Sequence, residues 1–302
     1  MKKKTDSHTI EISNKDKILF PKSKITKLDL VDYYEKISPL LLPHLRNRPI
    51  VMQRFPDGIH SSGFYQKNVS DYFPKWISTI KLRKKDGSVR HVLCQDKSTL
   101  LYIVNQACIT PHIWLSKKGN IRKPDKLLFD LDPPSNDFGL VSYGAKKINT
   151  LLDELELNSF VMTTGSRGLH VVVPIIPKHD FDTVRTFAKN IGDYLEKTNK
   201  KLTTQTRKNK RKGRLFIDYL RNSYGQNSVA PYSIRAIEGA PVATPLEWDE
   251  LNRKKINSQY YTIKNIFKRL KQKPDPWKDI GKKSKSIILA RKKLDKMISK
   301  LT

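Results

Sequence analysis

Two hydrophobic rhythms alternate along this chain, and the places where one gives way to the other mark its elements. Residues 9–13 predict a short strand, followed by the polar stretch Asn14-Lys15-Asp16-Lys17 and a turn at Pro21. Thr26-Lys27-Leu28-Asp29 then carries the signature of a helix start, a hydroxyl cap with an acid three positions on. Leu28, Leu30, Val31, Tyr34 and Ile37 follow on one side of that helix. Period-two runs at 50–55 and 63–66 predict strands around an Asp57-Gly58 turn, and 78–94 a hairpin signalled by Asp86-Gly87. A helix at 98–108 leads to strands at 109–115 and 126–132. A second helix at 139–155 precedes strand 159–163, the turn Thr164-Gly165-Ser166-Arg167-Gly168 and strand 169–175. A helix at 180–197, a loop from Lys200 to Arg214 and a strand at 214–220 complete the pattern. Beyond Pro245 the periodicity is helical, and 257–302 is lysine-rich with apolar positions at Ile287, Ile288, Leu294, Met297 and Ile298. The order is mixed α/β with a basic helical tail.

At 302 residues, with 37% hydrophobic content, the chain is long enough for one large domain or two closely joined ones. Its 59 Lys and Arg against 29 Asp and Glu give a formal charge of +30. That balance points to a polyanionic partner, nucleic acid first, and the Lys200–Arg214 run to a loop over its path. No apolar run approaches membrane-spanning length, and no apolar core follows the basic start. The expectation is a cytoplasmic, nucleoid-associated protein with no membrane partner. Cys94 and Cys108 alone make neither a disulfide framework nor a CxxC zinc pair.

The chemistry is concentrated in Lys126-Leu127-Leu128-Phe129-Asp130-Leu131-Asp132-Pro133-Pro134. On a strand, Asp130 and Asp132 project to one face about 6–7 Å apart, with Leu131 turned into the core. The prolines stop the strand where the carboxylates reach the surface. Such a pair suits two divalent ions of the kind used in phosphoryl transfer. Three further segments extend the constellation. The turn from Thr163 to His170 offers backbone N–H groups and Arg167 to phosphate oxygens. Leu215-Phe216-Ile217-Asp218-Tyr219-Leu220-Arg221 brings a third acid, and Ala230-Pro231-Tyr232-Ser233-Ile234-Arg235 an arginine suited to clamping a triphosphate.

Phe129 to Pro133, the Gly165–His170 turn and Phe216 to Tyr219 resemble the three motifs of the archaeo-eukaryotic primase superfamily. More narrowly, the chain resembles the polymerase domain of bacterial DNA ligase D, which acts in non-homologous end joining. Further matching stretches are Asn14 to Tyr34, Gly63 to Asn68, Asn105 through Trp114, Val229 to Arg235 and Pro241 to Pro245, covering about residue 9 to Trp277. The resemblance implies an RRM-like catalytic sheet with an N-terminal α/β unit, in a single compact, stand-alone polymerase domain over 1–302. Residues 278–302 would be a basic tail.

By position, the resemblance assigns Asp130, Asp132 and Asp218 to two Mn²⁺ or Mg²⁺ ions. Ser166, Arg167, His170, Arg211, Arg221 and Arg235 fall to the nucleotide, and His112 and Thr164 to its sugar. Phe64 and Tyr65 fall to a template base, and Arg54 to another DNA contact. Asn14, Lys17 and Lys27 match a pocket for a downstream 5′-phosphate, where a lysine at a helix start makes sense if free backbone N–H groups and an anion meet there. Gln53 and Asn227 depart from the family, some members of which carry lysines at these positions. The implied activity is template-directed extension of primers and filling of short gaps at DNA breaks, with ribonucleotides preferred. The implied partners are DNA ends, nucleoside triphosphates, a DNA ligase and a DNA-end binding protein. The alternatives are a de novo primase of the same superfamily and a non-catalytic DNA-end binding or synapsis module.

Overall fold

The computed structural model describes residues 1–5, 7–84, 87–135 and 137–301. It divides into two compact units, between which the chain passes several times: Met1–Lys118, Asn227–Thr244 and Tyr261–Pro274 form the first, and Gly119–Gln226, Pro245–Tyr260 and Asp275–Thr302 the second.

The first unit is built on an antiparallel sheet in the spatial order Asn227–Val229, Cys108–Trp114, Pro49–Arg54, Gly87–Leu93, Thr79–Lys84, with Phe64–Gln66 added to Pro49–Arg54. Helices Lys27–Leu45 and Lys97–Asn105 pack together. The capping box expected at Thr26 forms in full: Asp29 N donates to the Thr26 hydroxyl, and Thr26 N donates to the Asp29 carboxylate. The apolar stripe is rotated from the expected one, since Leu28 is half-buried and Lys27 is buried in its place. Tyr34 anchors the helix to the sheet by donating to Ile109 O at 2.6 Å. The hairpin expected over 78–94 pairs Lys84 with Gly87, while Asp86 lies outside the described residues. Both cysteines are buried, and burial pushes the Cys108 thiol up to about 12, which leaves it inert.

The second unit carries a six-stranded sheet in the order Leu202–Thr203, Leu215–Asp218, Lys126–Asp132, Leu169–Pro174, Phe160–Thr163, Pro245–Leu246. Only the first pair is parallel. Lys126–Asp132 and Leu169–Pro174 lie at the centre, and their continuous apolar runs fit strands covered on both faces. Helices Phe138–Glu154 and Phe181–Thr198 supply cover.

Four segments depart from the expected elements. The basic start Lys2–Lys4 is a strand paired with Thr9–Glu11, where the Lys3 ammonium is neutralised by Asp32 and Glu35, each at 2.7 Å. Within the basic run expected as a loop, Leu202–Thr203 pairs with Leu215–Phe216 and Lys208–Lys210 makes a single 3-10 turn. The chain after Pro245 is less helical than its periodicity suggests, with a short strand at Pro245–Leu246 and 3-10 turns at Trp248–Asn252 and Ile280–Lys283. In the last helix, Ile287–Ser299, the buried stripe is Ile287, Ala290 and Leu294, and Ile288 is turned to solvent.

Candidate active site

Strand register gathers the acids of the second unit. Asp130 stands directly opposite Asp218 on one neighbouring strand and His170 on the other. Asp132, two residues further along, shares their face and pairs with Phe216. Leu131 is fully buried between the two acids, as the alternation requires.

Charges around the acids are unequally shared. Arg221 donates from Nε to Asp130 Oδ2 at 3.1 Å and lies 3.8 Å from Asp218 Oδ2. His170 Nε2 is 3.5 Å from Asp130 Oδ1. Burial alone would push the Asp130 carboxyl up, but His170 and Arg221 outweigh it and hold the group down at about 2. Asp132 and Asp218 go the other way, raised first by burial and then by the Asp130 charge. Asp132 is paired with the exposed Arg167, at 3.6 Å. Three hard oxygen donors on one face, two of them still short of neutralising charge, are the donor chemistry that Mg²⁺ or Mn²⁺ takes. As they stand they do not close on one point, and no preformed metal cluster occurs among the described residues. The Arg221 guanidinium occupies the place between Asp130 and Asp218.

Asn222 holds Arg221 there, and sequence reasoning passed over it. The Leu215–Asp218 strand stops pairing at Asp130, and the buried Asn222 side chain continues the ladder. Its Nδ2 donates to Leu128 O at 2.7 Å, and its Oδ1 accepts from Leu128 N at 2.8 Å. An asparagine after a strand reads as an ordinary turn residue, so only the three-dimensional pairing reveals this role.

The turn after Phe160–Thr163 is organised by Thr164. Its buried hydroxyl accepts from Ser166 N and Gly168 N, at 3.3 and 3.2 Å, and lies 3.1 Å from Ser258 Oγ. Thr164 N in turn donates to Gly168 O. With those amides engaged inside the turn, the cradle expected here reduces to the amides of Gly165 and Arg167 and the Arg167 side chain. Gly168 has no room for a side chain, since a Cβ would lie 1.9 Å from Leu131 O and 3.0 Å from Asp132 Oδ1. Arg211 lies over Phe216, 3.9 Å from the ring centre, and donates to Gln205 O and Thr206 O. This fixes the end of the basic run beside the strand that carries Asp218.

Residues 26–277 match the family described as LigD, primase-polymerase domain. The chain belongs to that family. It is 33% identical over 273 residues to the bifunctional non-homologous end joining protein LigD of Bacillus subtilis, covering 89% of this chain and 44% of that protein. It is 32% identical over 274 residues to the multifunctional LigD of Pseudomonas aeruginosa, covering 89% and 32%. The chain thus spans 44% and 32% of the length of these two relatives. The solved polymerase domain of Mycobacterium tuberculosis ligase D, in complex with DNA, superimposes with a TM-score of 0.85 at 27% identity, covering 91% of this chain and 99% of that one. The fold is therefore the mixed α/β polymerase core of the archaeo-eukaryotic primase type.

The remaining residues singled out in this LigD-type chain lie in the first unit. Val51, paired with the buried His112, shares a sheet face with Gln53, which is paired with Tyr65. Tyr65 sets its ring edge-on to His112 at 5.6 Å. The Gln53 amide oxygen is buried on this face with no hydrogen-bond partner among the described residues. Arg235 follows a loop pinned by two tyrosines: Tyr33 donates to Tyr232 O, and Ile234 N donates to the Tyr34 hydroxyl.

Lys27 is buried, donating to Asn105 O at 3.0 Å and Ser13 Oγ at 3.3 Å. Burial, then Lys17 and Arg54, push its pKa below the ordinary 10.5. Lys17 pairs with Asp57 at 2.6 Å on the surface. The free amides expected at this helix start are not free. Lys27 N donates to Lys17 O, Leu28 N to Lys15 O and Asp29 N to Thr26 Oγ1. The stretch from Asn14, whose φ is +48°, folds back over the helix end and caps it. Any anion here would be held by side chains rather than by the helix terminus.

No helix among the described residues is long and apolar enough to cross a membrane.

Proposed function

We propose that this chain is a metal-dependent, template-directed nucleotidyltransferase that extends primers and fills short gaps at DNA double-strand breaks during non-homologous end joining. The observation that carries the reading is the register that sets Asp130 between His170 and Asp218, with Asp132 on the same face. A non-catalytic DNA-end module would have no use for three clustered carboxylates in a chain of charge +30. They cost stability through like-charge repulsion and burial.

Asp130, Asp132 and Asp218 would hold two Mg²⁺ or Mn²⁺ ions. When bound, such a pair lowers the pKa of a primer hydroxyl and stabilises charge on the transferring phosphoryl group. The chain's own groups do the rest. Arg221, bonded to Asp130 at 3.1 Å, balances part of the carboxylate charge and would serve the triphosphate as a further guanidinium. Arg167, Arg211 and Arg235 present planar guanidinium forks to phosphate oxygens. Ser166 adds a hydroxyl to this set. His170 keeps Asp130 ionised and oriented. His112 offers a ring nitrogen to the nucleotide sugar, and Thr164 shapes the turn assigned to it, which supports a preference for ribonucleotides. Tyr65 and Phe64 stack on bases, Arg54 supports the DNA contact, and Asn14, Lys17 and Lys27 receive a downstream 5′-phosphate. A DNA ligase and a DNA-end binding protein would be its partners, at the nucleoid in the cytoplasm.

The test is a gap-filling assay on DNA with a 5′-phosphorylated downstream strand, run with Mn²⁺, Mg²⁺ or chelator and with ribo- or deoxynucleotides. Extension that depends on metal and template is the expected result. Extension of an unprimed template would favour a primase instead, and no extension with either metal would leave the DNA-end module.

A further inference from the structure

Phe64 and Tyr65 are neighbours on a three-residue strand, so their side chains leave on opposite faces. Tyr65 takes the His112 face. Phe64 takes the other, where its strand partner is Arg54, whose guanidinium lies 5.4 Å from the Phe64 ring centre. The same guanidinium donates through Nη1 to Gln66 Oε1 at 2.5 Å and to the Tyr72 hydroxyl at 3.0 Å, and through Nε to Gln106 O at 2.6 Å. Arg54 is thus fixed by three acceptors and gathers two exposed aromatic side chains, Phe64 by its ring and Tyr72 by its hydroxyl.

Tyr72 does not reach that position by chance of a floppy loop. Gln66 Nε2 donates to Asn68 O and Ser70 Oγ, which ties the loop to the strand. Phe73 N closes a turn on Ser70 O, and the Phe73 ring is buried edge-on against Tyr102 at 5.1 Å. With Phe73 anchored inward, its neighbour Tyr72 is carried outward. Phe64 is 45% exposed and Tyr72 60% exposed. Phe64 meets the Arg54 guanidinium and Tyr72 meets the tilted Phe73 ring at 5.2 Å, but both rings keep much of their surface in water, and every nucleobase offers a matching π-face. The cation disfavours a positively charged protein partner and favours a polyanion.

We propose that Phe64, Arg54 and Tyr72 form a second base-stacking surface, distinct from the Tyr65–His112 face, that takes an unpaired nucleobase of single-stranded nucleic acid, with Tyr72 as a stacking residue and Arg54 as the cation of that surface. This rests on the reading of the chain as a nucleic-acid polymerase. It divides the work of Phe64 and Tyr65, which then stack on different groups.

The test measures affinity for a primer-template with a single-stranded template extension, intact or with one abasic site stepped through the extension. Wild type should show at least two positions where losing the base weakens binding. Tyr72→Ala should weaken binding of intact template by about tenfold, within the range for stacking residues, and erase the penalty at one position only. Tyr65→Ala should erase the other. Tyr72→Phe, which keeps the ring and loses the bond to Arg54, should stay near wild type. The proposal is overturned if Tyr72→Ala keeps every abasic penalty, or if Tyr72→Phe is as weak as Tyr72→Ala, which would leave the hydroxyl as a mere support for Arg54. If no variant and no abasic site changes affinity, the polymerase reading of the aromatics fails along with it. A Tyr65→Ala effect without a Tyr72→Ala effect sinks this proposal alone.

Discussion

Asp130 and Asp218 face each other directly across two antiparallel strands, and a single arginine, Arg221, lies within 3.8 Å of both. Two carboxylates so placed repel one another unless a cation intervenes. Arg221 is shared by these two acids and Arg167 lies 3.6 Å from Asp132, yet burial and the Asp130 charge still push Asp132 and Asp218 up.

Alanine at Asp130, Asp132 or Asp218 is therefore expected to remove primer extension, by a factor of about 10²–10³ or more, the cost of losing one group that stabilises developing charge. Affinity for DNA should hardly fall, because phosphate contacts from lysine and arginine set it. Single-turnover extension and fluorescence binding on the same substrate separate the two. An Asp132→Ala protein with near-normal extension would refute the metal assignment.

How much of this was legible beforehand depended on range. The Asp-x-Asp strand, its proline stop and the Thr26 capping box are local patterns, and they appear where the period and the cap residues put them. Asn222 was not legible, because its partner Leu128 lies 94 positions away in the chain. The amides at the start of the Lys27–Leu45 helix were misread for a related reason. Their acceptors, the carbonyls of Lys15 and Lys17, carry no side-chain signature. Tyr72 escaped notice because an exposed tyrosine in a turn is unremarkable until Arg54 is seen bonded to it.

Gly168 yields a second expectation. A methyl group at this position would lie 1.9 Å from Leu131 O, so Gly168→Ala must part the turn from the acid-bearing strand. Extension should collapse with all three acids in place, and stability should fall by about 1–3 kcal/mol, as for other overpacked sites. Gly281→Ala, where a Cβ meets nothing within 4 Å, serves as the control. Thermal unfolding and extension by both variants check this.

Sugar choice gives a third. A buried group built to bond a hydroxyl penalises the ligand that lacks it, and His112 is buried beside Tyr65. Ribonucleotides should be incorporated more efficiently than deoxynucleotides, and His112→Ala should shrink the ratio. Thr164→Val should do more harm, since its hydroxyl organises the turn. It should lower the incorporation of both sugars. Measured kcat/KM for each nucleotide on one template decides it, equal wild-type values being the adverse result.

The 5′-phosphate pocket carries a pH signature of its own. Lys27 is buried, with Lys17 and Arg54 as the cations that press on it, and its pKa is lowered by burial first and by those charges second. A lysine held below its ordinary 10.5 costs stability while it is charged, below its folded value, and the cost is relieved as pH rises through that value. An anion bound beside it reverses the balance by favouring the ammonium. At neutral pH, gapped DNA with a downstream 5′-phosphate should therefore bind more tightly than its 5′-hydroxyl counterpart, by about 1–3 kcal/mol for a hydrogen bond to a charged group. The difference should fade as pH rises, and sooner than an unperturbed lysine would allow. Lys27→Met with Lys17→Ala should abolish it at every pH while sparing extension of a simple primer-template. Because the amides at the helix start are already engaged by Lys15 and Lys17 carbonyls and by Thr26, no residual preference should survive in that double variant. A preference that persisted there would mean that the phosphate is held elsewhere.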